Sequence, residues 1–229
     1  MLIGCWSPKG GSGVTVFVAA CALVASANTD VVLVDTDGDV ASALGVAEPT
    51  RGWRDLLVAD ELPVGAIARI AVDVSPSVRL VGPGSSSVRS MRRPDSIEGS
   101  VAALRSIGEL VFVDLGQAHD ADVVALARSL DSLVMVTRPC YLAYRRALNH
   151  ELTSQSVGAV VLQEPGRTLT SRDLTATVGL QVVARIAVRP DICRAVDSGT
   201  IAYRVPESLA RGVRATLAAV RATTIRSAA

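Results

Sequence analysis

Lysine is almost missing from this chain of 229 residues. Of its 23 basic residues only Lys9 is a lysine; the rest are arginine. Aromatic residues are scarce too, at 3%, so the interior has to be built from Val, Ala, Leu and Ile. The four cysteines (Cys5, Cys21, Cys140, Cys193) are scattered without a CxxC pair, which argues against a metal cluster or a disulfide framework. Long apolar runs are also lacking. The longest, Val14 to Ala27, falls short of the ~20 residues that a membrane-spanning helix needs. Leu2-Ile3-Gly4-Cys5 looks like a lipoprotein cleavage box, but the charged and apolar regions that would precede one are not there. These absences predict a cytoplasmic chain with reduced thiols. A net charge of +1 gives no general attraction to nucleic acid or to an anionic membrane.

What is present is a hydrophobic content of 49%, enough for a sizeable core. Short β-branched runs bounded by turn residues read as strands: Leu2–Cys5, Val31–Val34, Val78–Val81, Leu110–Val113, Leu133–Val136, Val157–Leu162 and Val182–Val188. Helix-period stretches lie between them: Val14–Ala27, Pro94–Ile107, Ala121–Leu130, Tyr141–Leu152, Ser171–Thr177 and Asp191–Ser198, with Ser208–Val220 closing the chain. Strand-then-helix alternation predicts an α/β, doubly wound, mostly parallel sheet of seven or eight strands flanked by helices. No linker divides it, so residues 1–229 read as one domain. Residues 82–93, rich in Gly and Ser and ending in Arg89, Arg92 and Arg93, read as a mobile loop. In such sheets ligands lie beyond the carboxyl ends of the strands, so the loops after Cys5, Val34, Val113, Val136 and Leu162 are the places to look.

The first of these loops is Lys9-Gly10-Gly11-Ser12-Gly13-Val14-Thr15. It follows the first strand and opens the first helix, the context that separates a P-loop from a chance glycine cluster. Its glycines let backbone amides converge on an anion, and the helix start adds its positive dipole end. Thr15 stands where a Mg²⁺ ligand belongs. A plain glycine-rich turn is the alternative. The second strand ends in Asp35-Thr36-Asp37, with Asp39 two residues on as a candidate substitute; an Asp37-Gly38 turn is the alternative. A third strand ends in Asp114-Leu115-Gly116, and an Asp there is costly to bury without a partner such as a metal-bound water. His119 in the following segment reads as a solvated loop residue.

These motifs resemble those of the MinD/ParA ATPases, whose deviant Walker A loop reads Lys-Gly-Gly-x-Gly-Lys-Thr and whose relatives include pilus-localising TadZ/CpaE-type proteins. The resemblance spans essentially the whole chain and implies the P-loop NTPase fold, with ATP and Mg²⁺ as cofactors. By that resemblance Lys9, Gly10, Gly11, Ser12, Gly13, Val14 and Thr15 face the nucleotide. Thr15, Asp35 and Asp114 serve the metal, and Asp35 and Asp37 assist catalysis with Lys9. Lys9 would cross a sandwich homodimer to the partner's nucleotide. Thr137-Arg138-Pro139 and Arg189-Pro190-Asp191 resemble the family's later turns. Gln163 stands near the adenine-reading Asn position, one methylene longer.

One departure dominates. The lysine directly before the magnesium Thr is Val14, and the loop opens on Pro8 instead of Gly. A charge-assisted hydrogen bond to phosphate contributes about 1.5–3 kcal/mol, so its loss weakens binding by up to about 100-fold. Hydrolysis, whose transition state gathers charge on the same oxygens, suffers at least as much. Arg138 and Arg189 are the candidates to reach in. The expected function is positional: a scaffold at a pole, septum or pilus-assembly site with weak or absent turnover, working with protein partners of a secretion, pilus or division apparatus. An active partitioning ATPase is the alternative. Arg89, Arg92, Arg93 and Arg145-Arg146 could touch DNA, though solvating arginines explain them as well. Leu209, Val213, Leu217 and Val220 share one face of the last helix, a pattern expected to pack on the sheet rather than attach to membrane.

Overall fold

The computed structural model describes residues 1–59, 65–84 and 96–228. The strands are β1 (Leu2–Trp6), β2 (Val31–Asp35), β3 (Val72–Ser75), β4 (Val78–Val81), β5 (Leu110–Asp114), β6 (Ser132–Thr137), β7 (Ser156–Gln163) and β8 (Val182–Ala187). They form one eight-stranded sheet in the order β3-β4-β2-β5-β1-β6-β7-β8, parallel throughout except for β3, which pairs antiparallel with β4 at one edge. The helices are α1 (Val14–Ala25), α2 (Val40–Leu44), α3 (Trp53–Val58), α4 (Ala66–Ile70), α5 (Ser96–Ile107), α6 (Ala121–Arg128), α7 (Tyr141–Leu148), α8 (Ser171–Val178), α9 (Pro190–Asp197) and α10 (Glu207–Ala228). The α/β, doubly wound sheet expected from the sequence is therefore present, with eight strands.

Both faces of the sheet are dry. In β1, Ile3 and Cys5 join the core beneath α1 and α10, while Leu2 and Trp6 join the core on the opposite face. The same alternation runs through β2 (Leu33 against Val32 and Val34), β5 (Phe112 against Val111 and Val113) and β6 (Val134 and Val136 against Leu133 and Met135). Successive strand side chains point to opposite faces, and helices cover both, so these strands read as unbroken apolar runs. α1, apolar nearly all round, lies under the centre with Val18, Ala19, Ala20 and Ala22 wholly buried.

Several boundaries shift. α7 ends at Leu148 rather than Leu152, and α6 ends at Arg128. α10 runs on to Ala228, beyond the expected end at Val220, with Ile225 exposed. β3 and the short helices α2, α3 and α4 carry too few periodic residues to stand out in the sequence. Part of the 82–93 loop, including Arg89, Arg92 and Arg93, lies outside the described residues. The apolar stripe of α10 is spent on the protein: Leu209, Val213 and Val220 are buried against the sheet and α1. Among the described residues no helix is long and apolar enough to cross a membrane.

Gly212 sets how closely α10 approaches β8. A Cβ built there would lie 2.3 Å from Cγ1 of Ile186. Gly→Ala in an exposed helix interior ordinarily gains about 0.5–1 kcal/mol. Here overpacking, costing about 1–3 kcal/mol, outweighs that gain. Gly212→Ala should therefore lower the urea midpoint, and Ile186→Val in the same chain should recover part of the loss.

Candidate functional site

The loop between β1 and α1 is held from below and left open above. The Ser7 amide donates to the Gly116 carbonyl (2.8 Å), pinning the loop's start to the segment after β5. The hydroxyls of Ser7 and Ser12 both donate to the Lys9 carbonyl, at 2.6 and 2.5 Å. Gly13 caps α1 with φ +82°, a left-handed conformation that favours glycine, and a Cβ there would meet Leu162 Cδ1 at 2.6 Å. The amides of Gly10, Gly11 and Gly13 make no hydrogen bond among the described residues. The first-turn amides of α1 are unpaired by helix geometry. Free amides converging at a helix start form an anion cradle.

Two buried carboxylates stand beside the loop. Asp35 and Asp114 are register partners at the ends of β2 and β5, and Cys5 of β1 is the next partner across. They have different environments. Asp35 accepts three backbone amides: Asp37 and Gly38 on Oδ1 (2.9 and 2.8 Å) and Val40 on Oδ2 (2.9 Å). Both its oxygens thus fold the chain from β2 into α2. Burial nevertheless raises its pKa. Asp114 accepts one amide, from Gly116 at 3.0 Å on Oδ1, and the Thr15 hydroxyl lies against it. Its Oδ2 is buried without a partner. Burial, with the charges of Asp35 and Asp37 adding, pushes the Asp114 carboxyl up to about 7.

A cavity of about 420 Å³ opens over the loop. It is lined by the whole stretch from Lys9 to Thr15, by Asp37 and Asp39 after β2, Gly116 and Gln117 after β5, and Arg138 after β6. Asp37 is packed against the segment after β5: a Cβ on Gly116, itself at φ +53°, would come within 2.6 Å of Asp37 Oδ2. Val14 borders the cavity but is only 8% exposed and belongs to the core around α1. Lys9 donates its Nζ to the Gly10 carbonyl at 3.2 Å.

Of the residues expected from the sequence, the loop, Asp37 and Arg138 share this cavity. Asp35 and Asp114 lie below it. Gln163 ends β7 half-buried, its carbonyl accepting the Val188 amide (2.8 Å), and does not line the cavity. Arg189 pairs with Asp191 at 3.4 Å and does not line it either. His119 is exposed, as expected of a loop histidine. Arg145 and Arg146 are exposed on α7.

Sequence reasoning missed three contributors. Gln117 sits against Gly10, where a Cβ would meet its Nε2 at 3.1 Å. Arg54 of α3 donates to the Thr36 carbonyl (2.9 Å) and borders a small recess beside Asp37 and His119. His150 stacks on Trp6 with ring centroids 4.3 Å apart, accepts the Leu152 amide on Nδ1 (3.3 Å) and lies against the backbone of Gln117 and Ala118, while burial lowers its pKa. Only the position of Gln117, three residues past Asp114, carried any signal.

No protein-family model and no curated protein matches this sequence. Solved structures do match its fold. The ParA family ATPase from Chlorobium tepidum TLS superposes with a TM-score of 0.76 at 22% identity, covering 93% of this chain and 95% of that one. The septum site-determining protein MinD from Pyrococcus horikoshii OT3, solved with Mg-ADP, gives 0.75 at 16% identity, with 93% of each chain covered. A chain of the MinC:MinD cell division protein complex from Aquifex aeolicus gives 0.75 at 16%, covering 95% of this chain and 96% of that one. The chain is thus MinD/ParA-like in fold, a P-loop architecture over nearly its full length.

Asp114 makes the site a source of instability. A carboxyl whose pKa is raised by folding favours the folded state while protonated. Its contribution is full below about pH 4 and is lost as pH climbs through about 7. The protein should lose stability across that window, on the order of a few kcal/mol. Asp114→Asn should flatten the dependence and raise the melting temperature at pH 8. Thermal melts of both proteins from pH 4 to 8 check this.

Proposed function

We propose that this chain is a nucleotide-dependent positional or scaffold protein of the MinD/ParA kind, with a degenerate ATP site and weak or absent hydrolysis. One observation carries the reading: the loop presents free amides to an open cavity, while the position that should bring a cation to the phosphates is an apolar side chain folded into the core. The site suits a phosphate and a divalent cation. The unpaired amides of Gly10, Gly11 and Gly13 fit the former, and the orphaned Asp114 Oδ2 beside the Thr15 hydroxyl fits the latter. Mg²⁺, when bound, would neutralise phosphate charge and relieve the buried carboxylate.

In this reading Thr15 would hold the metal, and the free oxygen of Asp114 would support it from beneath, through a metal-bound water. Asp35, engaged on both oxygens by backbone amides, supports the metal side mainly by shaping the loop that carries Asp37. Asp37 is placed to orient a water in the cavity. Gln163 offers an amide to the base from outside the cavity. Lys9 serves a partner subunit's phosphates in a homodimer, after leaving its bond to the Gly10 carbonyl. The dimer then recruits protein partners at a pole, septum or pilus-assembly site, as MinD does MinC in the Aquifex complex.

A second reading, an active partitioning ATPase, is favoured by the retention of Thr15, Asp35, Asp37 and Asp114 at the site. Calorimetry and turnover separate the two. The first reading expects weak ATP·Mg²⁺ binding, tightened by up to about 100-fold in Val14→Lys, with hydrolysis near background. Turnover clearly above background in the unaltered protein, lost in both Lys9→Ala and Asp37→Ala, overturns it in favour of the second.

A further inference from the structure

We propose that Arg138 supplies the phosphate-facing charge that Val14 lacks. The inference rests on the reading of the loop as a nucleoside-triphosphate site and assigns the missing cation within it. Topology places the two sides of that site. The loop lies over β1; Asp114 and Asp35 reach it from β5 and β2 on one side, and Arg138 from β6 on the other. A phosphate chain cradled above β1 would thus have a cation-binding edge and, opposite it, a guanidinium.

Among the described residues, Lys9 and Arg138 are the cations that line the cavity. Lys9 is turned onto its own loop. Arg138 is oriented by Glu164, which accepts its Nη1 at 2.5 Å on Oε1. The other oxygen of Glu164 accepts Arg167 through Nε and Nη2, at 2.8 and 2.6 Å. One carboxylate shared between two guanidiniums leaves this edge of the cavity net positive. The side chain is 36% exposed, and its Nη2 makes no hydrogen bond among the described residues, whereas the unpartnered Nε is closed off from the cavity. A guanidinium held at Nη1 with Nη2 free can grip phosphate oxygens without first breaking its anchor. Arg138 could instead merely brace the ends of β6 and β7 through Glu164. That role would leave nucleotide affinity unchanged.

A double-mutant cycle on the full chain decides between them, with ATP·Mg²⁺ affinity read by calorimetry. Arg138→Gln should weaken binding roughly 10- to 100-fold, with an unchanged circular dichroism spectrum. Arg138→Lys, which keeps the charge but not the fork, should fall between. Val14→Lys should gain far more affinity in the Arg138→Gln background than in the unaltered chain, because one charge then stands in for the other. Two results overturn the inference: Arg138→Gln binding like the unaltered chain, or equal gains from Val14→Lys in both backgrounds. If Val14→Lys binds ATP while the unaltered chain and Arg138→Gln both do not, the loop is a nucleotide site and Arg138 is not its cation. If none of the proteins binds ATP, both readings fall.

Discussion

Two-sided burial of a parallel sheet is the constraint from which the rest follows. With helices on both faces, the interiors of the central strands β2, β5, β1 and β6 host no polar side chain, and every β1 side chain is covered. In these strands charge enters only where they end, and parallel strands end together. The carboxyl-terminal edge therefore collects Asp35, Asp114 and Thr137 at the last positions of β2, β5 and β6, all effectively without solvent contact. The sheet order then puts the loop of β1 in the middle of them. The site is a consequence of where a dry sheet stops.

That edge is incompletely satisfied, and unevenly so. Asp35 has an amide donor on each oxygen, and the chain between β2 and α2 is shaped by them. Asp114 has an oxygen to spare, and the neighbouring loop has donors to spare. Buried polar groups left this way are costly unless something else completes them. The imbalance separates a carboxylate that builds the site from one that waits for a ligand, although both end apolar strands and look alike in sequence.

The sheet was legible because its strands are continuous β-branched runs and its helices have clear period. The glycine loop was legible because three glycines set between a strand and a helix bare the backbone just where an anion would dock. What stayed hidden depends on folding rather than pattern. β3 is short and half-exposed, and α2, α3 and α4 are too brief for any periodicity. Arg54 and His150 reach the site through packing, from positions with no motif around them, and Gln117 does so from just past the Asp114 motif. Asp35 and Asp37 could not be told apart in sequence; only the amides they meet do so. Val14 was legible both as a departure and, at the start of a helix apolar nearly all round, as a buried residue.

The stacking of Trp6 on His150 has a mechanical side. The ring that burial keeps neutral lies flat on the indole, and the indole closes β1 just before the loop begins. The imidazole partner lies against the backbone of Gln117 and Ala118, the segment that walls the cavity opposite. In a chain with only 3% aromatic residues, one of the two tryptophans thus couples the end of β1 to the segment after β5, so the loop and the wall of the cavity rest on one stacked pair.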